Sequence, residues 1–393
     1  MRGSLANLGL ALAGVLVALG IFEMVVRLTG LATPNLYVFA QYRGWKLSPG
    51  AFYPARGPGD AEVRVNNEGF RGPERSLAKP PGVFRVAVLG DSFTEAQQVP
   101  YKDTFCAVME RRLASCPALA GKRVQVLDFG VDGYGTAQEY LTLARHVWQF
   151  SPDFVVLAVF TGNDIRNDSL ALEGERCRPF YEYRGGRLVL DGPFIDSPTF
   201  RFHCWLRFES RHIQFLDVLG KLRAAYHTWR GQRSLRHGRV VGRELGIDDL
   251  IYEPPPNQLW RNAWRVTEGE IQMIHDNAVR HHAGFLVVTL SNPVQVRPDP
   301  RKRAAYMKYL RVTDLFYPER RIAAAGRRDG YAVLNLAPQL QQWVDGHGLA
   351  VHGFGEPKGH WNELGHRLAG ELIAQRVGAM LSEHQNGSSA GAS

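Results

Sequence analysis

The run from Phe154 to Phe160, apolar at every position, constrains this chain more than any other stretch. A strand without polar alternation has to be covered on both faces. Parallel sheets flanked by helices provide that cover; antiparallel sheets commonly leave one face in water. Four further strand-length runs, Val83–Leu89, Arg123–Phe129, Gly284–Leu290 and Tyr331–Leu336, share the same apolar bias. Helical spacing lies between them, at Lys102–Ala114, from the capping box Thr136-Ala137-Gln138-Glu139 to about Phe150, and at Ile271–His282. A last helix opens with Asn362 as N-cap and aligns Leu364, Leu368, Leu372, Ile373, Val377 and Met380 on one face. The alternation predicts a three-layer α/β/α fold, doubly wound around a mostly parallel five-stranded sheet of the flavodoxin-like kind.

The pattern begins only near residue 81 and is broken once. From Gly3 to Phe22 the chain carries no charge. Twenty residues of helix span roughly 30 Å, the thickness of a hydrocarbon core. A cleaved signal peptide is the rival reading, because small residues recur around Ala18-Leu19-Gly20. The helical pattern runs on through Met24, Val25 and Val26, which favours an uncleaved transmembrane anchor over residues 1–29. Residues 30–80, rich in Pro, Gly and Tyr, read as a linker that gains order near Asn66. The domain itself then covers 81–382, with an aperiodic insertion at about 165–265 lying over the carboxyl ends of the strands. Residues 383–393 read as a disordered tail.

With 393 residues, 45 % of them hydrophobic, the chain can bury a large core. Its net charge of +9 invites a nucleic-acid reading. The basic residues are scattered, however, and neither zinc-ligand spacing nor a long basic helix is present, so nucleic acid is not an expected partner. The membrane, through the N-terminal helix, is one. Cys106, Cys116, Cys177 and Cys204 fit no metal spacing, and an exported chain could pair Cys177 with Cys204. The anchor places the protein as a single-pass protein of the cell inner membrane, with the bulk periplasmic or extracellular, although the positive-inside signal is weak.

Chemistry concentrates where strands end. Ser92 follows the first strand in Gly90-Asp91-Ser92-Phe93, Gly133 follows the second in Gly130-Val131-Asp132-Gly133-Tyr134-Gly135, and Asn163 follows the third in Gly162-Asn163-Asp164. His360 precedes the last helix in His360-Trp361-Asn362. In an open α/β sheet such loops meet at one edge. A serine hydroxyl becomes a useful nucleophile when a held histidine takes its proton.

In this order the four blocks resemble the SGNH hydrolases, the GDSL-like esterases and lipases, over about residues 80–382 with the insertion unmatched. The resemblance implies Ser92 as nucleophile, His360 as base, and an oxyanion hole made by the Ser92 and Gly133 backbone N–H groups and the Asn163 side chain. Family members usually carry an aspartate two or three residues before the histidine. Here Lys358 and Pro357 occupy those positions. Three outcomes remain open: Glu356 substitutes as the third catalytic residue, a backbone carbonyl orients the ring, or the site is weakened. Asp345 lies in the preceding loop.

Other residues have plainer readings. Asp91 holds its turn, Asn362 caps a helix and His366 packs within it, while Trp361 either lines an acyl pocket or fills the core. Thr94 stands where a nucleophile elbow of the α/β-hydrolase type would need glycine. The expected activity is serine-dependent hydrolysis of acyl esters, acetyl above all, on a small-molecule or carbohydrate substrate such as an envelope polysaccharide, without metal or organic cofactor. The alternatives are O-acyl transfer at the same Ser–His site, or a non-catalytic carbohydrate-binding module on a decayed hydrolase scaffold.

Overall fold

Strands that are apolar throughout need two cores, and the computed structural model supplies both. It describes residues 2–29, 35–55, 59–190, 197–210, 213–237 and 246–390. In chain order the strands are β1 (Tyr37–Ala40), β2 (Gly44–Leu47), β3 (Phe52–Tyr53), β4 (Val63–Arg64), β5 (Val83–Gly90), β6 (Arg123–Gly130), β7 (Phe154–Val159), β8 (Tyr181–Arg184), β9 (Arg187–Leu190), β10 (Gly284–Thr289) and β11 (Ala332–Asn335). The helices are α1 (Arg2–Thr29), α2 (Ser92–Glu95), α3 (Phe105–Leu113), α4 (Thr136–Arg145), α5 (Asp164–Asn167), α6 (Pro198–Glu209), α7 (Gln214–His237), α8 (Gln258–Arg280), α9 (Pro300–Leu310), α10 (Tyr317–Asp329), α11 (Leu336–His347) and α12 (Glu363–Ala390).

The central sheet runs β11-β10-β7-β5-β6, and each of its pairings is parallel. Counted within the sheet this is the flavodoxin-like order 2-1-3-4-5, whose switch point lies between β5 and β7. Alternate residues part to the two faces. Ala87, Leu89, Leu127, Val155, Leu157 and Val287 enter a core with Phe150, Trp264, Ile271 and Ile322, under α4, α8 and α10. Val86, Val88, Val126, Val156, Ala158 and Val288 enter a second core with Phe105, Met109, Leu340, Ile373 and Val377, under α3, α11 and α12. Every residue of β7 is buried. Each large side chain so buried contributes about 1.5–3 kcal/mol relative to exposure.

Elements differ from the sequence reading where tertiary contacts outweigh local pattern. The α4 N-cap is Gly135 rather than Thr136, and its N–H lies 3.4 Å from Gln138 Oε1. The helix expected from Ile271 begins at Gln258 inside the supposed insertion, where Asn257 caps it by accepting from Trp260 N–H at 3.0 Å. Helix α12 continues to Ala390, past the point where a disordered tail was expected. Asn362 caps that helix, accepting from Gly365 N–H at 3.0 Å.

The largest difference lies in residues 30–80. Most of this supposed linker is packed structure. β1 and β2 form an antiparallel hairpin, β3 and β4 pair, and Leu36, Trp45, Leu47, Val63 and Val65 share a third small core with Val131, Tyr134, Cys177, Cys204 and Phe208. The alternation is short and rich in turn residues, so it carries little periodic signal. Its order comes from a partner more than eighty residues downstream. Helix α1 contains one stretch, Gly9–Thr29, long and apolar enough to cross a membrane, with mean hydropathy 2.3.

Candidate active site

The site begins with strand register. Gly90 pairs with Gly130 on β6 and with Ala158 on β7, so the three chains leave the sheet side by side. Asp91 turns the first of them. Its carboxylate accepts from Phe93 N–H at 3.0 Å, capping the short helix α2 and presenting Ser92 at its start. Burial raises the Asp91 carboxyl to about 7, against the Phe93 hydrogen bond that lowers it.

His360 arrives from the other end of the chain. His352 and Trp361 form an antiparallel bridge, and Gly353 N–H donates to His360 O at 2.9 Å, which closes the loop between them. Across this closure Nε2 of His360 lies 2.8 Å from Ser92 Oγ. The Asp91 carboxylate is the weaker competitor for that hydroxyl, at 3.5 Å. The His360 ring rests on Phe93, with centroids 4.7 Å apart, and Phe93 stacks on Phe160. Burial lowers the imidazole to about 4. The neutral ring is therefore the ground state at neutral pH, as a proton acceptor requires.

Glu356 points its largely exposed side chain at Lys358, 2.7 Å away. Asp345, on α11, pairs with Arg303 at 2.6 Å. Gly359 O lies 2.7 Å from Nδ1 of His352. Glu356 is the ion-pair partner of Lys358, on a loop that leaves its side chain largely exposed.

His352 itself belongs to a buried chain. Trp361 Nε1–H donates to Ser291 Oγ at 2.9 Å, and Ser291 Oγ lies 2.9 Å from His352 Nε2. With Nδ1–H given to Gly359 O, Nε2 is left to accept from Ser291. Burial lowers this imidazole to about 3. The chain ties the residue before His360 to β10's following turn. Trp361 is fully buried and fills the core rather than lining a pocket. His366 is also buried, stacked on Phe105 and accepting from Phe105 N–H at 3.3 Å.

Two backbone N–H groups and one side-chain amide stand where the strands end. The backbone N–H groups of Ser92 and Gly133 have no backbone acceptor among the described residues, and Asn163 Oδ1 is buried without a hydrogen-bond partner. Buried polar groups are paired as a rule, and exceptions gather at working sites. Gly133 has φ +73°, a left-handed conformation that other residues adopt only with strain. Asn163 is held by its neighbours: Asp164 Oδ2 accepts from Phe160 N–H at 2.7 Å and fixes the turn leaving β7.

Residues unnoticed in the sequence complete the site. Asp132 N–H donates to Glu95 Oε2 at 2.5 Å, and Glu95 in turn accepts from Tyr37 OH at 2.8 Å. Trp45 Nε1–H donates to Asp132 O at 3.0 Å. The hairpin after the apolar helix thus grips the Gly133 loop from above. A cavity of about 310 Å³ lies beside that loop, walled by Gly133 and Asn163, by Tyr37, Trp45 and Phe208, and by charged groups. Three of those charges are held in ion pairs. Arg166 faces Asp248 and Glu173, and Glu175 faces Arg207. No sequence signal marked Tyr37 or Trp45, which sit in a stretch without period.

Neither a family model nor a curated protein matches the chain. Solved structures that align with it include an acetyl xylan esterase at 12 % identity, covering 75 % of this chain and 100 % of that one, with a TM-score of 0.37. A catalytic mutant of an acetylxylan esterase from Geobacillus stearothermophilus aligns at 9 % identity, over 75 % of this chain and 94 % of the other, with a TM-score of 0.39. A lipase/acylhydrolase from Enterococcus faecalis aligns at 13 % identity, over 76 % and 96 %, with a TM-score of 0.36. Likeness at this level carries no weight for the chemistry, which has to rest on the chain's own geometry.

Proposed function

We propose that this protein is a membrane-anchored SGNH-type serine esterase that cleaves acyl esters through an acyl-enzyme on Ser92. One observation carries the reading: Ser92 Oγ and His360 Nε2 are 2.8 Å apart at the sheet edge where the Gly133 and Asn163 loops also emerge. His360 takes the hydroxyl proton as Oγ attacks the ester carbonyl. The Ser92 and Gly133 N–H groups and the Asn163 amide receive the negative oxygen, where such donors act most strongly. His360 then gives the proton to the departing alcohol. Water repeats the sequence and releases the acid. The pair works as a dyad, with the His352–Gly359 bond steadying the loop that presents it.

The neighbouring cavity supports a polar alcohol component. Arg166, Glu173 and Glu175 on its wall are ion-paired and its apolar wall is aromatic, which suits a hydroxyl-rich group such as a sugar of an envelope polysaccharide. The apolar helix Gly9–Thr29 and the Cys177–Cys204 disulfide fit a domain held at the inner membrane and facing an oxidising compartment. Purified protein incubated with a chromogenic acetyl ester tests the reading, with and without an oligosaccharide acceptor. Release of acid without acceptor supports hydrolysis. Turnover that requires the acceptor shows acyl transfer instead, and no turnover or covalent labelling shows a non-catalytic module.

A further inference from the structure

The peptide bearing the Gly133 donor is gripped at three successive carbonyls. Asp132 O accepts from Trp45 Nε1 at 3.0 Å, Gly133 O from an Arg178 Nη2 hydrogen, and Tyr134 O from Asn167 Nδ2 at 3.5 Å. Arg178 does more than its neighbours. Its second terminal nitrogen, Nη1, donates to Asn167 O at 3.2 Å, at the far end of the short helix that Asn163 opens. One guanidinium therefore joins the loop of the first donor to the loop of the second.

Arg178 is a costly residue to place there. It is 3 % exposed and makes no ion pair among the described residues, and its Nε has no hydrogen-bond partner. Burying a charge without a contacting counter-ion costs several kcal/mol, so fold stability alone gives a weak reason for it. Its guanidinium lies over the Trp45 ring, 5.1 Å from the centroid, and it walls the cavity shared with Gly133 and Asn163. The preceding residue, Cys177, is bonded to Cys204 of α6. The staple fixes the backbone from which this side chain reaches inward.

We propose that Arg178 is the positioning residue of the oxyanion hole, bridging Gly133 O and Asn167 O so that the Gly133 N–H and the Asn163 amide converge on one oxygen. Only a planar fork with two terminal nitrogens can span both carbonyls, which a lysine ammonium cannot reproduce. The inference rests on the esterase reading of Ser92 and His360.

The test compares wild type with Arg178→Lys, Arg178→Met and Arg178→Ala in the full chain, on a chromogenic acetyl ester. The expected result is a fall in kcat of about 10²-fold, as for loss of one oxyanion donor, with KM within about threefold. Guanidinium chloride at low millimolar concentration should restore at least about tenfold of the lost kcat in Arg178→Ala, and sodium chloride should not. If Arg178→Met does not fold, Arg178→Lys and the guanidinium rescue decide the matter. Variants that keep wild-type kcat overturn the proposal while leaving the Ser92 reading intact. So does a loss that tracks the thermal midpoint and resists rescue. A wild type that turns nothing over and takes no fluorophosphonate label overturns both.

Discussion

Ser92 Oγ and His360 Nε2 lie within hydrogen-bond distance, 2.8 Å, although 268 residues separate them along the chain. That closure depends on β5 leaving the sheet at its switch point and on the His352–Trp361 bridge returning the C-terminal segment to the same edge. Removing either partner should abolish the chemistry. Ser92→Ala and His360→Ala are each expected to lower turnover of a short acyl ester by about 10⁴-fold or more, with near-additive effects absent in the double variant. Steady-state kinetics on the three variants check this.

Glu356→Gln should change kcat by less than about twofold, because its carboxylate faces Lys358 in solvent rather than the His360 ring. A loss of 10²-fold or more would show that the loop closes on substrate and recruits this side chain.

The pH profile follows from burial of the base. His360 is pushed down to about 4, so it remains a neutral acceptor above that value and is lost as pH falls through it. We expect kcat/KM to stay level from about pH 7 to pH 5 and to fall about tenfold per unit below about pH 4. A limb near pH 6.5 would contradict it. Asp91, raised to about 7 and 3.5 Å from Ser92 Oγ, is the nearest other titrating carboxyl. Running the profile in Asp91→Asn separates the two.

Asn163→Ala removes a side-chain amide that makes no cap hydrogen bond and whose Oδ1 is buried without a partner in the resting site. Its cost should appear in kcat, by about 10²–10³-fold, with KM little changed. An equal rise in KM would show that the amide binds the ground state instead.

Trp45→Phe keeps an aromatic ring against Gly133 and Phe208 but deletes the N–H that holds Asp132 O. One buried hydrogen bond is worth about 1 kcal/mol net, so kcat should drop about fivefold. No change would mean that Glu95 and Arg178 suffice to hold the loop.

How much of this was legible depended on whether the information was local. The apolar run at Phe154, the glycine that ends β5 and the Asn362 cap are local signals, and fold order follows from them. The places of Ser92, Gly133 and Asn163 at strand ends and of His360 before a helix were also legible. The supporting shell was not. Trp45 and Tyr37 lie in a stretch whose order comes from contact with residues 95 and 132, and Arg178 is an arginine among many until its burial is seen. Glu356 shows the converse. It was the acid nearest to the expected position in sequence, yet a loop containing Gly353, Gly355 and Gly359, all at positive φ, turns it outward.

Covalent labelling of the intact protein tests the central claim most directly. A fluorophosphonate should add one adduct per chain, mapped to Ser92 by peptide mass spectrometry, absent in Ser92→Ala and slowed about 10³-fold or more in His360→Ala. An unlabelled wild type, or an adduct that persists without Ser92, would contradict the account.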